Sequence, residues 1–133
     1  MAGDNRTVLD SDVLIDLARG YVPAIELVDR LIAEGERPAI SIVTEMELLL
    51  GARTRAEQRL IGQLTRRLLV LPLSEMISLR ARNLVARYGL SHGLTIPDAL
   101  IAATAIATRA RLLTQNVRHF SYLPSLRVRA PYA

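Results

Sequence analysis

Thr7-Val8-Leu9-Asp10-Ser11-Asp12-Val13-Leu14-Ile15 is the stretch on which the fold turns. A short run of high strand propensity meets Asp-Ser-Asp, and apolar residues resume at once. That pattern predicts a strand running directly into the start of a helix. The same alternation repeats outward from it. Pro23–Glu34 carries apolar residues at 24, 25, 28, 31 and 32, a helical period closed by Gly35. Ala39–Ile42 reads as a second strand, and Thr44–Leu50 as a helix stopped by Gly51. Ala56–Leu68 has the spacing of another helix, and Leu69–Leu71 before Pro72 that of a third strand. Leu73, Met76, Ile77, Ala81, Leu84, Val85 and Tyr88 mark one face of a long helix ending at Gly89. Pro97–Arg109 is apolar all round and predicts a buried helix. Arg111–Thr114 and Leu126–Arg129 close the chain as a fourth and a fifth strand. Strands alternating with helices predict an α/β sandwich around a mainly parallel sheet.

A chain of 133 residues is expected to form one domain over 1–133, with a polar tail at 1–6. Half of its residues are apolar, which excludes a disordered linker. There is no Cys, so disulfides and thiolate metal sites are closed. Uncharged stretches such as Ala99–Thr108 fall well short of the roughly 20 residues that a membrane span needs. The start, Met1-Ala2-Gly3-Asp4-Asn5-Arg6, lacks the apolar core of a secretion signal. Together these point to a cytoplasmic protein with no membrane partner.

The net charge is +4, and all 17 basic residues are Arg. The complete absence of Lys reads first as codon bias, although Arg also suits bidentate phosphate contacts. Its sharper use is exclusion. A P-loop needs Gly-x-x-x-x-Gly-Lys, and phosphatases that form an aspartyl-phosphate need a later Lys. Asp10-x-Asp12 therefore does not extend to that second chemistry.

The 13 carboxylates are unevenly placed, and after Glu75 only Asp98 remains, at the entry of the most apolar helix. An acid there needs a partner or a purpose, because burying an unpaired charge costs several kcal/mol. Asp10 follows the first strand, where ligands of open α/β sheets bind. Either Asp10 or Asp12 can cap the next helix instead, with Asp12 the better placed for it. With Val43 at zero on a wheel of about 100° per residue, Met46, Glu47 and Leu50 fall within roughly 60°, while Glu45 lies near 200°. Glu47 is thus expected on the inward face and Glu45 on the outward one. Thr44-x-x-Glu47 and Thr95-x-x-Asp98 also have capping-box spacing, which is compatible with a ligand role. Inward acids repel unless a cation sits between them, and an all-oxygen donor set selects Mg2+ or Mn2+. An acidic site inside a basic chain then suits hydrolysis of a nucleic-acid backbone.

At this point the chain resembles the PIN-domain ribonucleases, specifically the VapC-type toxins of bacterial toxin–antitoxin pairs. The motifs are Val8-Leu9-Asp10-Ser11-Asp12-Val13-Leu14-Ile15, Ile40-Ser41-Ile42-Val43-Thr44-Glu45-Met46-Glu47-Leu48 with Gly51, Pro97-Asp98-Ala99-Leu100-Ile101-Ala102-Ala103-Thr104-Ala105, and Leu113-Thr114-Gln115-Asn116-Val117-Arg118-His119-Phe120. Each alone is weak; four in order across nearly the whole chain are specific. The resemblance implies a PIN-like three-layer α/β/α sandwich, a Mg2+- or Mn2+-dependent endoribonuclease, and a homodimer. It also implies an antitoxin partner that occupies the active-site groove, commonly through a basic C-terminal segment. Carried over by position, it makes Asp10, Glu47 and Asp98 the metal-binding acids. Thr114 and Asn116 belong to the closing part of the site, with Thr44 in support.

One departure stands out. Many relatives carry a fourth acid where this chain has Asn116, which brings a carbonyl oxygen but no charge. The expectation is one firmly bound ion and another recruited by RNA phosphate, with Asp12 available to compensate. Asn116 also leaves room for a binding-only alternative, a PIN-like module that holds RNA or a partner without cutting. A metal or general-base role is open to either His92 or His119; His92, in an expected loop before Asp98, is a candidate substrate contact, and His119, before Phe120, reads otherwise as a satisfied or exposed imidazole. Arg53, Arg55, Arg66, Arg67 and Arg118 are the candidate phosphate contacts. Phe120 is expected in packing, and the low aromatic content argues against a base-stacking platform.

Overall fold

The computed structural model describes residues 6–133, so most of the tail expected at 1–6 lies outside the described residues. Strands β1 (Thr7–Leu9), β2 (Ala39–Ser41), β3 (Leu69–Leu71), β4 (Arg111–Leu113) and β5 (Arg127–Arg129) form one sheet in the order β3-β2-β1-β4-β5. Every pairing in it is parallel, with Leu9 opposite Leu113 and Ser41 opposite Leu71. The helices are α1 (Ser11–Ala18), α2 (Val22–Ala33), α3 (Ile42–Gly51), α4 (Arg55–Thr65), α5 (Glu75–His92) and α6 (Ile96–Ala107). The chain steps outward from β1 to β2 and β3, then returns across β1 to β4. The turning point of the strand order therefore lies between β1 and β4, the place where ligands of open α/β sheets bind.

Strand alternation sends side chains to two cores. Leu9, Ile40 and Leu113 pack with Val13, Leu14 and Leu17 of α1 and Leu27, Val28 and Leu31 of α2. Val8, Ala39 and Leu112 point the other way, onto Ile77, Ala81 and Leu84 of α5 and Ile101, Ala102 and Ala105 of α6. A buried sheet with helices on both faces is the expected α/β/α sandwich. Alanines along α6 let it sit close to the sheet, and Phe120 fills the same core at 1% exposure. Removing that ring would cost about 3–5 kcal/mol and loosen the single 3-10 turn at Val117–His119.

Some expected boundaries move. The long helix passes through Gly89 and ends at His92, because Gly93 takes the left-handed conformation at φ 68 and its N–H bonds the carbonyl of Gly89. His92 is accordingly the last helical residue rather than part of a loop. Helix α3 begins at Ile42, directly off β2, and Gly51 is its last residue rather than its stop. The helix expected over Ala56–Leu68 spans Arg55–Thr65. No helix among the described residues is long and apolar enough to cross a membrane.

Candidate active site

Asp10 stands at the carboxyl end of β1, between that strand and α1. Its N–H donates to the carbonyl of Leu113 at 3.0 Å, continuing the β1–β4 ladder by one residue. Its side chain is the N-cap of α1, with Oδ1 accepting from Ser11 N at 2.8 Å. The cap is thus Asp10 and not Asp12, the reverse of the expected preference. The reason is the absence of any loop: the strand ends at Leu9 and the helix starts at Ser11. The second oxygen, Oδ2, accepts from Thr114 Oγ1 at 2.8 Å. Asp10 and Thr114 are both buried.

Asp12 lies in the first turn of α1 and faces the loop after β4. Its Oδ2 accepts from Gln115 N at 2.9 Å, Thr114 Oγ1 at 3.3 Å and Asn116 Nδ2 at 3.3 Å. Its Oδ1 is buried and has no hydrogen-bond partner. A buried, unpartnered carboxylate oxygen is costly and calls for a ligand. Burial, and then the charge of Asp10, hold the Asp12 carboxyl above the ordinary carboxylate range. Asn116 is tied in through its own N–H, which donates to Thr114 Oγ1 at 3.0 Å.

Glu47 reaches this end of the sheet from α3. Ser11 Oγ donates to Glu47 Oε1 at 2.7 Å and lies 3.2 Å from Thr44 Oγ1. The wheel reading of α3 needs correction. Met46 is 47% exposed and Leu50 87%, while the buried face is Val43 and Thr44. Glu47 is exposed at the rim, and Glu45 is half-buried instead of outward. The first turn of α3 is clamped onto the sheet end, with Ser41 capping Val43 N at 3.1 Å, and later turns climb away from the core. Ser41 therefore replaces Thr44 as cap, and the Thr44–Glu47 box does not form.

Asp98 enters from the first turn of α6, where Thr95 is the N-cap and accepts from Asp98 N at 3.3 Å. Its carboxyl is also held above the ordinary range, first by burial and next by the charge of Asp10. Glu47 adds to that rise, and the imidazole of His119 opposes it. Asp98 thus shares one field with Asp10 and Glu47, residues far away along the chain. Among the described residues no three carboxylate or imidazole groups close into a ready-made cage. Like charges without a counter-ion have no reason to draw closer.

Around this centre lie features that the sequence reading missed. Ser11 bridges α1 to Glu47 and Thr44. Asp16, one turn after Asp12, accepts from Gln115 Nε2 at 2.6 Å and from the hydroxyl of Tyr132. Tyr132 also meets the Tyr21 ring edge-on at 5.4 Å. The i, i+4 spacing of Asp12 and Asp16 was a usable signal for the shared face; the distant tyrosine had none. Of the arginines, Arg67 is taken by Asp29 at 2.6 Å, whereas Arg118 stands beside His119 near Asp98.

A groove of about 680 Å³ leads away from Glu47 between α1, α3 and α4. Its walls include Ile15, Ala18, Leu48, Leu60 and Ile61, and Glu57 sits on it as well. A smaller cavity of about 240 Å³ opens on the other side of the centre, at Asp98.

The model of the PIN domain matches residues 7–124. The chain is 40% identical to Ribonuclease VapC10 of Mycobacterium tuberculosis over 121 residues, covering 90% of each protein. In structure it is similar to a toxin-antitoxin complex from Klebsiella pneumoniae, with a TM-score of 0.76 and 30% identity over 95% of this chain and 98% of that one. It also shares the fold of VapBC2 from Rickettsia felis bound to a DNA fragment from its promoter, with a TM-score of 0.81 at 24% identity, covering 93% and 97%.

Proposed function

The chain belongs to the PIN-domain family, among its VapC-type members, and from that premise we propose that it is an endoribonuclease toxin that cuts RNA with the help of Mg2+ or Mn2+. The observation that carries this reading is Asp12 Oδ1, buried without a partner beside Asp10 at the turning point of the sheet. The name carried by the relatives agrees with it. Nothing in the geometry favours the binding-only alternative.

The residues fit a hard divalent ion. The donors are carboxylate oxygens, and one of them, Asp12 Oδ1, is buried without a partner. Asp10, Glu47 and Asp98 would hold the ion, with Asp12 standing in for the acid that Asn116 replaces. When bound, such an ion supplies a more acidic water and offsets charge on the leaving oxygen. The protein's own part is positional. Thr114 locks Asp10 and supports Asp12 through one hydroxyl. Ser11 holds Glu47 against α1. Asn116 donates to Asp12 and leaves its carbonyl oxygen for a water or a ribose hydroxyl. One firmly held ion is expected before RNA arrives, and metal titration of the free protein reads that number directly.

The apolar groove beside Glu47 suits an antitoxin segment whose basic end reaches Glu47 and Glu57. Met76, Leu79 and Leu90 on α5 and Ile96 on α6 are exposed apolar side chains. They form the surface that we assign to a second copy of the chain. We assign the protein to the cytoplasm, where it would meet an RNA substrate. The deciding experiment is cleavage of single-stranded RNA with Mg2+ or Mn2+. Cutting should stop with EDTA and fall to background in Asp98→Asn, while folding and antitoxin binding persist; full cutting by Asp98→Asn would overturn the assignment.

A further inference from the structure

The cavity at Asp98 contains both histidines of the chain. One wall is a ring stack: His92 lies parallel to Tyr122 with centroids 4.0 Å apart and planes 14° apart. Tyr88 closes against both, edge-on to His92 at 5.7 Å and tilted to Tyr122 at 5.4 Å. Ser91 Oγ lies 2.8 Å from His92 Nδ1, which sets the orientation of the ring and leaves Nε2 for a ligand. Arg118 and His119, from the turn after Asn116, line the same cavity. Arg118 makes no hydrogen bond or ion pair among the described residues. Asp98 at the inner end repels an anion, and these two side chains stand against it. Stacked aromatics and the unpaired guanidinium of Arg118 in one cavity meet the two chemistries of a nucleotide, a flat base and a phosphate. The volume of about 240 Å³ lies below the roughly 300–1,000 Å³ of pockets that enclose drug-sized ligands, so it suits a single nucleotide unit.

We propose that this cavity is a nucleotide subsite: the His92–Tyr122 stack receives the base next to the bond to be cut, and Arg118 and His119 hold its phosphate. The assignment of an adjacent bond rests on the nuclease reading above; the pocket itself does not. It makes His92 and Tyr122 determinants of cleavage-site preference, against the low aromatic content of the chain as a whole. His92 at the end of α5 and Arg118, His119 and Tyr122 beyond β4 together supply a small platform that composition conceals.

Two imidazoles in the whole protein make the test direct, because each gives a resolved ring signal by proton NMR. The full chain, without metal and at constant pH, is titrated with AMP, GMP, CMP and UMP, and with ribose 5-phosphate as a base-free probe. At least one nucleotide should shift both imidazole signals saturably. Ribose 5-phosphate should bind about tenfold more weakly and leave the His92 signal in place. Tyr122→Leu should erase the difference between the two probes. In RNA cleavage, His92→Ala and Arg118→Ala should each raise KM about tenfold with kcat within about twofold. His92→Ala should also flatten the preference for the neighbouring base. Absence of a saturable shift, or equal binding of nucleotides and ribose 5-phosphate, overturns the subsite. If the wild type cuts RNA and His92→Ala cuts it with the same KM and preference, the subsite fails while the nuclease reading stands. Nucleotide-dependent shifts in a protein that cuts no RNA would do the opposite.

Discussion

The two ends of the central strands handle charge in opposite ways. At the amino end, Thr7 Oγ1 donates to Glu36 Oε1 at 2.8 Å and accepts from Arg111 Nε at 2.9 Å. Arg111 Nη2 completes the ring to Glu36 Oε2 at 3.3 Å. Charge is matched there, and both carboxylate oxygens of Glu36 find a partner. At the carboxyl end of the same strands, Asp10 and Asp12 share the hydroxyl of Thr114, and Asp12 and Asp98 are held above their ordinary range by burial and by the charge of Asp10. One end spends its charge on stability. The other stores repulsion that a ligand can relieve, which is the usual physical signature of a functional centre.

The sharpest way to test the contrast is to neutralise one residue at each end. Asp98→Asn should remove RNA cleavage altogether, the largest effect expected anywhere in the molecule. It should not harm the fold. A carboxyl whose folded-state pKa is raised favours the protonated state, so its contribution to stability is full below the unfolded value and lost as pH rises through the folded one. At neutral pH the charge on Asp98 is therefore a burden, and Asp98→Asn should raise Tm by a few degrees in the metal-free protein, measured by calorimetry. A fall in Tm would break the comparison.

Arg111→Ala should behave in the reverse manner. It leaves Glu36, whose side chain is only 14% exposed, without its cation. A loss of about 2 kcal/mol in urea unfolding is expected, with cleavage at low temperature unchanged. The smallest effect should appear in the pH profile. Because Asp12 and Asp98 must ionise to act, the acid limb of cleavage should lie above the roughly 4 of an ordinary carboxylate. Asp12→Asn should move that limb and also raise Tm, whereas substitutions at Glu36 should leave the limb in place and lower Tm.

Much of this contrast was legible in the sequence. Strands β1 to β4 are short, mostly apolar runs, so strand positions were recoverable to within a residue or two, and the acids at 10, 47 and 98 stood out as candidates by placement. What was not legible depends on the direction of packing. A helical wheel orders the side chains of α3, but only contact with the sheet end tells which side is inside; Met46 and Leu50 are exposed, while Leu48 lines the groove. Gly89 looked like a helix stop because glycine is a weak helix former. Gly93, four residues later, supplies the stronger signal, a backbone conformation that disfavours side chains. Tyr122 and Tyr132 carried no local pattern, since their partners, His92 and Asp16, lie far back along the chain.

The bond from Thr114 to Asp10 joins positions separated by 104 residues. A ribosome has made most of the polypeptide before that hydroxyl emerges, and β4 must then slot in beside the first strand. An unfinished or half-folded copy lacks the floor of its own cutting centre. A hazardous enzyme built in this order stays harmless through its synthesis, and the moment of danger coincides with the moment at which a neutralising partner first finds a finished surface to grip.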